Sequence, residues 1–280
     1  MPSAGRPSTG LHYRLHACGL REAPVVLLLH GLGSCGDDWA LQLPALLPRY
    51  TVLAPDLRGQ GDSPMPAGWP TIGDLATDVL ALLDQLQIER VHLVGLSLGG
   101  TVALELAVEA PARLRSLTAV NTFARLQATR GSLRRGLERI WLAATGRMDE
   151  LGRRVADGLF PDGGQEAFRA AAAARLAGNR PLTYIKLLTA LSRFDLRSRL
   201  GEIQAPTLVV AGEQDTTVPL RCKLELAAGI RGARLERFAG SRHVTPLDAA
   251  ERFNMRLLEF LSCVDRGIAV RTAPEEEVRA

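Results

Sequence analysis

The stretch Val94-Gly95-Leu96-Ser97-Leu98-Gly99-Gly100 follows the apolar run Val91-His92-Leu93-Val94 and leads into the helical spacing of Thr101–Ala107. A chain that turns this sharply from strand to helix forces its central residue into a strained backbone conformation. The positions two before and two after must then be small. Gly95 and Gly99 meet that requirement. Such a turn lifts the Ser97 hydroxyl clear of the sheet, at the N-terminus of a helix whose dipole favours developing negative charge. Ser97 therefore reads as a nucleophile, against the plainer alternative of a hydroxyl in a tight turn.

A serine hydroxyl is a poor nucleophile without a base. Of the five histidines, His12 and His16 lie in the first strand region and His92 inside the strand before Ser97, where core or surface roles suit them better. His30, in His30-Gly31-Leu32-Gly33, suits a structural role beside the loop. His243 follows the last strand in Gly240-Ser241-Arg242-His243, which can bring an imidazole over the carboxyl edge of the sheet, where open α/β sheets form their sites. The acid that orients it is read as Asp215, in Gly212-Glu213-Gln214-Asp215, with Glu213 its nearest rival. The other strand end able to supply this acid holds Asn121, which has no carboxylate. The backbone N–H groups of Leu98 and Leu32 are the candidate oxyanion donors. Ser97, His243 and Asp215 are expected to form a hydrogen-bonded chain, with Asp215 nearer to the imidazole than Glu213.

The 280 residues carry a net charge of +4, unevenly spread. From Thr122 to Leu200 there are 15 Arg and Lys against 7 Asp and Glu, a surplus of 15 − 7 = +8. This reads as a solvated helical face in an arginine-rich protein, with a field for an anionic substrate as the alternative. Nucleic-acid binding is not expected, since the arginines have no interleaved aromatic platform. The longest aliphatic run, Val25–Leu29, is far short of the roughly 20 residues that span a bilayer, so no membrane association is expected. MPSAGRPSTG does not read as a secretory signal, and the expected location is cytoplasmic. The four scattered cysteines read as reduced structural thiols. No cofactor or metal is expected, because neither a metal-ligand cluster nor a dinucleotide or phosphate loop is visible.

Short apolar runs alternate with helical patterns. Val25–His30, Tyr50–Asp56, Val91–Ser97, Leu114–Asn121, Pro206–Asp215 and Ala233–Ala239 read as strands, with Asp74–Leu86 and Gly100–Ala110 as helices between them. This is the rhythm of a mostly parallel, twisted sheet covered on both faces, with an antiparallel edge around His12–His16. The rhythm breaks after Asn121. Helical patterns at Leu133–Ala144, Met148–Phe160, Glu166–Leu176 and Leu182–Leu191 fill the chain to Leu200 and look like an inserted all-helical cap. The expected division is an α/β core of residues 1–121 and 201–280 with a cap of residues 122–200. Thr272–Ala280 reads as a frayed tail.

With these residues in place, the chain resembles the α/β-hydrolase fold superfamily. The order Ser97, Asp215, His243 is that family's. His30-Gly31-Leu32-Gly33 before an aspartate and Trp39, Asp56-Leu57-Arg58-Gly59-Gln60-Gly61-Asp62-Ser63, Pro206–Gly212 and His243-Val244-Thr245-Pro246 match it as well. Within the family the first half is most similar to β-ketoadipate enol-lactonases and neighbouring carboxylesterases. Ser97 excludes the haloalkane dehalogenase branch, which has aspartate there. The base loop of relatives reads Gly-x-Gly-His, where this chain has Arg242 before His243. Arg242 either points to solvent or meets a substrate carboxylate.

The resemblance implies a serine hydrolase that cleaves a small ester or lactone, a carboxylated enol-lactone among them, through an acyl-enzyme. A thioesterase, C–C hydrolase or perhydrolase of the same fold and a non-catalytic ligand receptor are the alternatives. The implied partner is a small-molecule substrate. Phe123, Trp141, Phe160 and Tyr184 are the cap residues that could face it.

Overall fold

A computed structural model describes residues 10–20, 22–127 and 130–268. The expected tail and the N-terminal nine residues lie outside them. The chain runs β1 (Tyr13–His16), β2 (Val25–Leu29), α1 (Leu43–Leu46), β3 (Thr51–Pro55), α2 (Ile72–Gln85), β4 (Val91–Leu96), α3 (Leu98–Glu109) and β5 (Leu114–Val120). Four helices follow, α4 (Arg130–Ala144), α5 (Met148–Leu159), α6 (Glu166–Ala177) and α7 (Pro181–Arg193). The chain then returns through β6 (Thr207–Gly212), α8 (Leu220–Gly229), β7 (Arg234–Phe238), α9 (Thr245–Asp248) and α10 (Ala250–Asp265).

The seven strands form one sheet in the order β1-β3-β2-β4-β5-β6-β7, with β1 antiparallel to β3 and the rest parallel. Because successive side chains of a strand face opposite ways, a sheet covered on both sides needs apolar residues at nearly every position. In β2, Leu27 and Leu29 pack towards α2 and α3, while Val26 and Leu28 pack towards α1 and α10. β6 divides its residues likewise, Val209 to the first layer and Leu208 and Val210 to the second.

Local chemistry fixes the helix ends that matter. Thr71 caps α2 through a reciprocal pair, accepting from the Asp74 N–H while the Asp74 carboxylate accepts from the Thr71 N–H, which satisfies two otherwise orphaned donors. α3 lies against the sheet with residues 98–104 all buried, and so lacks the polar stripe of a surface helix. The strand expectations hold to within three residues at each end. The helices α8 and α10 are additions to the patterns read from sequence.

Candidate active site

Ser97 sits between β4 and α3 with φ 54° and ψ −111°, a left-handed conformation that a side chain rarely adopts. The glycines on either side are required by contact. A Cβ on Gly95 would run into the Gly99 carbonyl, and one on Gly99 into the Leu29 carbonyl. The strained turn is tied down by two bonds, Ser97 N–H to the Val120 carbonyl at 3.0 Å and Thr122 Oγ1 to the Ser97 carbonyl at 2.8 Å. Such strain persists only where the surroundings over-determine it.

His243 and Asp215 come from the loops after β7 and β6. Nδ1 of His243 lies 2.9 Å from Oδ2 of Asp215, and both residues are buried. Oδ1 of Asp215 accepts the N–H groups of Thr217 at 2.8 Å and Val218 at 3.0 Å. Burial alone would raise this carboxyl, but His243 and Lys223 beside it outweigh that and hold it down at about 2. Glu213, the rival acid, instead pairs with Arg237 at 2.8 Å. The Ser97 hydroxyl makes no hydrogen bond to another described residue, although Ser97 and His243 line the same cavity. Bonds of this kind often tighten only when substrate is bound.

Three other histidines are committed elsewhere. His30 is buried, its Nε2 accepting the Leu57 N–H at 2.9 Å and its Nδ1 donating to the Gly31 carbonyl at 2.8 Å; burial lowers its pKa. That pair of bonds holds the 30–34 loop beside Ser97. His92 lies between Ser116 Oγ and Asp265, and His12 pairs with Asp56 at 3.0 Å. His12, Asp56 and Asp62 have metal-ligand spacing, but Asp56 is already engaged by the N–H groups of Gly36 and Asp62, as a structural carboxylate is.

The cavity has a volume of about 440 Å³ and lies between the four helices and the carboxyl ends of β2, β4 and β6. Leu32 is in its wall, and a Cβ on neighbouring Gly31 would stand 3.7 Å from Ser97 Cβ. Leu98 opens α3, where N–H groups have no partner within the helix. Phe123, Phe160 and Tyr184 line the cavity. Trp141 does not, a correction to the expectation from sequence. It is 53 % exposed, with the Arg147 guanidinium 4.8 Å above its ring. Seven residues on from Leu133 a helix returns to the same face, at Ile140, whereas Trp141 is turned about 80° away. Leu133 and Ile140 accordingly line the cavity.

The model of the α/β hydrolase fold family matches residues 24–250. The chain belongs to the α/β-hydrolase family. This hydrolase is 36% identical to a putative carbamate hydrolase RutD of Variovorax paradoxus, over 91% of this chain and 97% of that one. Among solved structures, it matches the enol-lactonase from Burkholderia xenovorans LB400 with a TM-score of 0.83 at 31% identity, over 90% and 96% of the two chains. A hydrolase from Pseudomonas aeruginosa PA01 matches with a TM-score of 0.83 at 34% identity, over 90% and 94%. The protein is a hydrolytic enzyme of this family, and none of its described helices is long and apolar enough to cross a membrane.

Several residues of the hydrolase site escaped the sequence reading. Asn121, marked only for lacking a carboxylate, is a buried brace. Its Nδ2 donates to the carbonyl of His243 and to Thr245 Oγ1, each at 2.8 Å, and its Oδ1 accepts the Gly212 N–H at 2.8 Å. The Arg242 side chain grips Asp162, between α5 and α6, through Nε at 3.0 Å and a terminal nitrogen at 3.3 Å. Arg139 and Arg175 line the cavity. In the sequence they were only part of the basic surplus of residues 122–200.

Proposed function

We propose that the enzyme is a serine hydrolase that cleaves a small ester or lactone through an acyl-enzyme, with Ser97 as nucleophile, His243 as base and Asp215 as the acid that orients it. The observation that carries the reading is the buried 2.9 Å bond from His243 to Asp215, with His243 lining the same cavity as a strained serine. In this mechanism His243 takes the Ser97 proton as Oγ bonds to the carbonyl carbon. The electron pair moves onto the carbonyl oxygen, held by the N–H groups of Leu32 and Leu98. Collapse expels the alcohol or enol, which takes the proton from His243, and water repeats the sequence to release the acid.

Residues 122–200 act as the cap that selects the substrate, with Phe123, Phe160 and Tyr184 among its contacts. A carboxylated substrate is favoured by Arg139, which lines the cavity, stands near enough to act on the buried Tyr184 hydroxyl and has no acidic partner among the described residues. Arg175 is instead paired with Asp38 at 3.3 Å. A carbamate is the second reading, on the name of the relative from Variovorax paradoxus.

The test is turnover of p-nitrophenyl acetate and butyrate, a carboxylated enol-lactone, an aryl carbamate and an acyl-CoA by wild type and Ser97→Ala. Activity on an ester or lactone that disappears in the variant supports the proposal; wild-type turnover in Ser97→Ala sinks it. Arg139→Met is expected to lower kcat/KM for the carboxylated lactone about 10-fold or more while sparing p-nitrophenyl acetate.

A further inference from the structure

Of the 34 lysines and arginines in the chain only two are lysine, Lys186 and Lys223. Lys223, in the first turn of α8, is fully buried. Its Nζ lies 2.8 Å from Oδ2 of Asp215 and 2.6 Å from the Val218 carbonyl. Oδ2 is the oxygen that also faces His243 Nδ1. Two backbone donors on Oδ1 and one imidazole on Oδ2 would already satisfy an orienting carboxylate. Taking an ammonium out of water is costly, and a merely structural partner for this acid would not need to be charged.

We propose that Lys223 is a positioning residue of the hydrolytic site, sharing Oδ2 of Asp215 with His243 so as to offset the carboxylate's charge and set the pH at which the base becomes competent. The inference rests on the Ser97–His243–Asp215 reading. An ammonium on the shared oxygen leaves less negative charge to hold a proton on the imidazole, so the base stays free to lower pH. The bond to Val218 also fixes the 215–218 loop against α8, which keeps Oδ2 turned towards His243. A lysine suits the position better than an arginine, being a compact charge at the end of a flexible stem. Burial lowers the Lys223 pKa, and the opposing pull of Asp215 offsets only part of this.

The other charged groups around the imidazole do not change with Lys223. Asp248, from α9, faces His243 and is held by Ser241 Oγ and the Arg242 N–H. The Arg242 side chain is held by Asp162. Around Lys223 itself, the Cys222 thiol is the remaining titratable neighbour.

The experiment is kcat/KM for p-nitrophenyl butyrate between about pH 5 and pH 9 for wild type, Lys223→Met, Lys223→Gln and Ser97→Ala. Removing the charge is expected to move the acid limb of the profile up by about one pH unit in both neutral variants, with KM changed less than about twofold. A folded neutral variant whose acid limb stays in place overturns the proposal, even if its melting temperature falls. Should neither variant fold, ¹³Cε-lysine labelling of the wild type gives two signals, assigned by Lys186→Arg. The Lys223 signal must then step at the midpoint of the acid limb, and a flat titration overturns the proposal. Full turnover in Ser97→Ala would remove the triad reading itself, a failure distinct from an unmoved limb.

Discussion

At the scale of single residues, Asp215 shows how a site can hold charge away from water. Burial works against its ionised form, while His243, Lys223 and two backbone N–H groups work for it and prevail. Because the folded pKa lies below the unfolded one, the carboxylate contributes stability that is fully present above about pH 4 and lost as pH falls towards 2, about 2 kcal/mol in all. Denaturant midpoints at about pH 5 and pH 3 for wild type and Asp215→Asn measure this, and the wild type's advantage should shrink at the lower pH. The same substitution should cut kcat on the order of 10³–10⁴-fold, since an amide can hold the imidazole in the wrong tautomer. Asn121 illustrates a different dependence. Asn121→Asp would set a carboxylate against the His243 carbonyl, where an N–H now donates. It should destabilise the protein by about 1–3 kcal/mol, read as a lower melting temperature.

At the scale of elements, the β4–α3 turn was legible because strand, glycines and helix lie next to one another in sequence. Ser97, with Gly95 and Gly99, could be placed without knowing what the sheet pairs with. The position of His243 and Asp215 followed from the rule that sites form beyond the carboxyl ends of strands. Their support was not legible. Asn121, Gly212 and Thr245 meet only when the ends of β5, β6 and β7 are side by side, and nothing in their spacing announces it. Gly212 carries the tightest of these contacts, since a Cβ there would collide with the Arg242 carbonyl. Gly212→Ala should lower stability by about 1–3 kcal/mol and reduce turnover by displacing the His243 loop. α4 provides the contrast. Trp141 reads from sequence only as a cap residue that could face substrate, but the helix face it occupies is open to water, so Trp141→Ala should move the melting free energy by less than about 0.5 kcal/mol.

At the scale of the whole molecule, about half of the basic side chains of the helical segment are held in ion pairs, and its net surplus stays positive. Arg147 and Arg154 meet Glu150, Arg154 also meets Glu138, and Arg197 meets Asp195. Two further pairs, Arg175 with Asp38 and Arg242 with Asp162, run between that segment and loops at the carboxyl edge of the sheet. Both have exposed partners, and a double-mutant cycle on Arg242→Ala and Asp162→Ala should return a coupling of about 0.2–1 kcal/mol. Sequence could supply the charges and not the pairing, because Arg242 and Asp162 are 80 positions apart.

The order of the site residues along the chain has a consequence for synthesis. Ser97 is made early, and its turn is complete once β4, α3 and β5 are in place, yet Asp215 and His243 arrive more than a hundred residues later. On the proposed mechanism, a nascent chain with only its first two hundred residues outside the ribosome holds Ser97 without its base, and reactivity would switch on late, when the last strands dock.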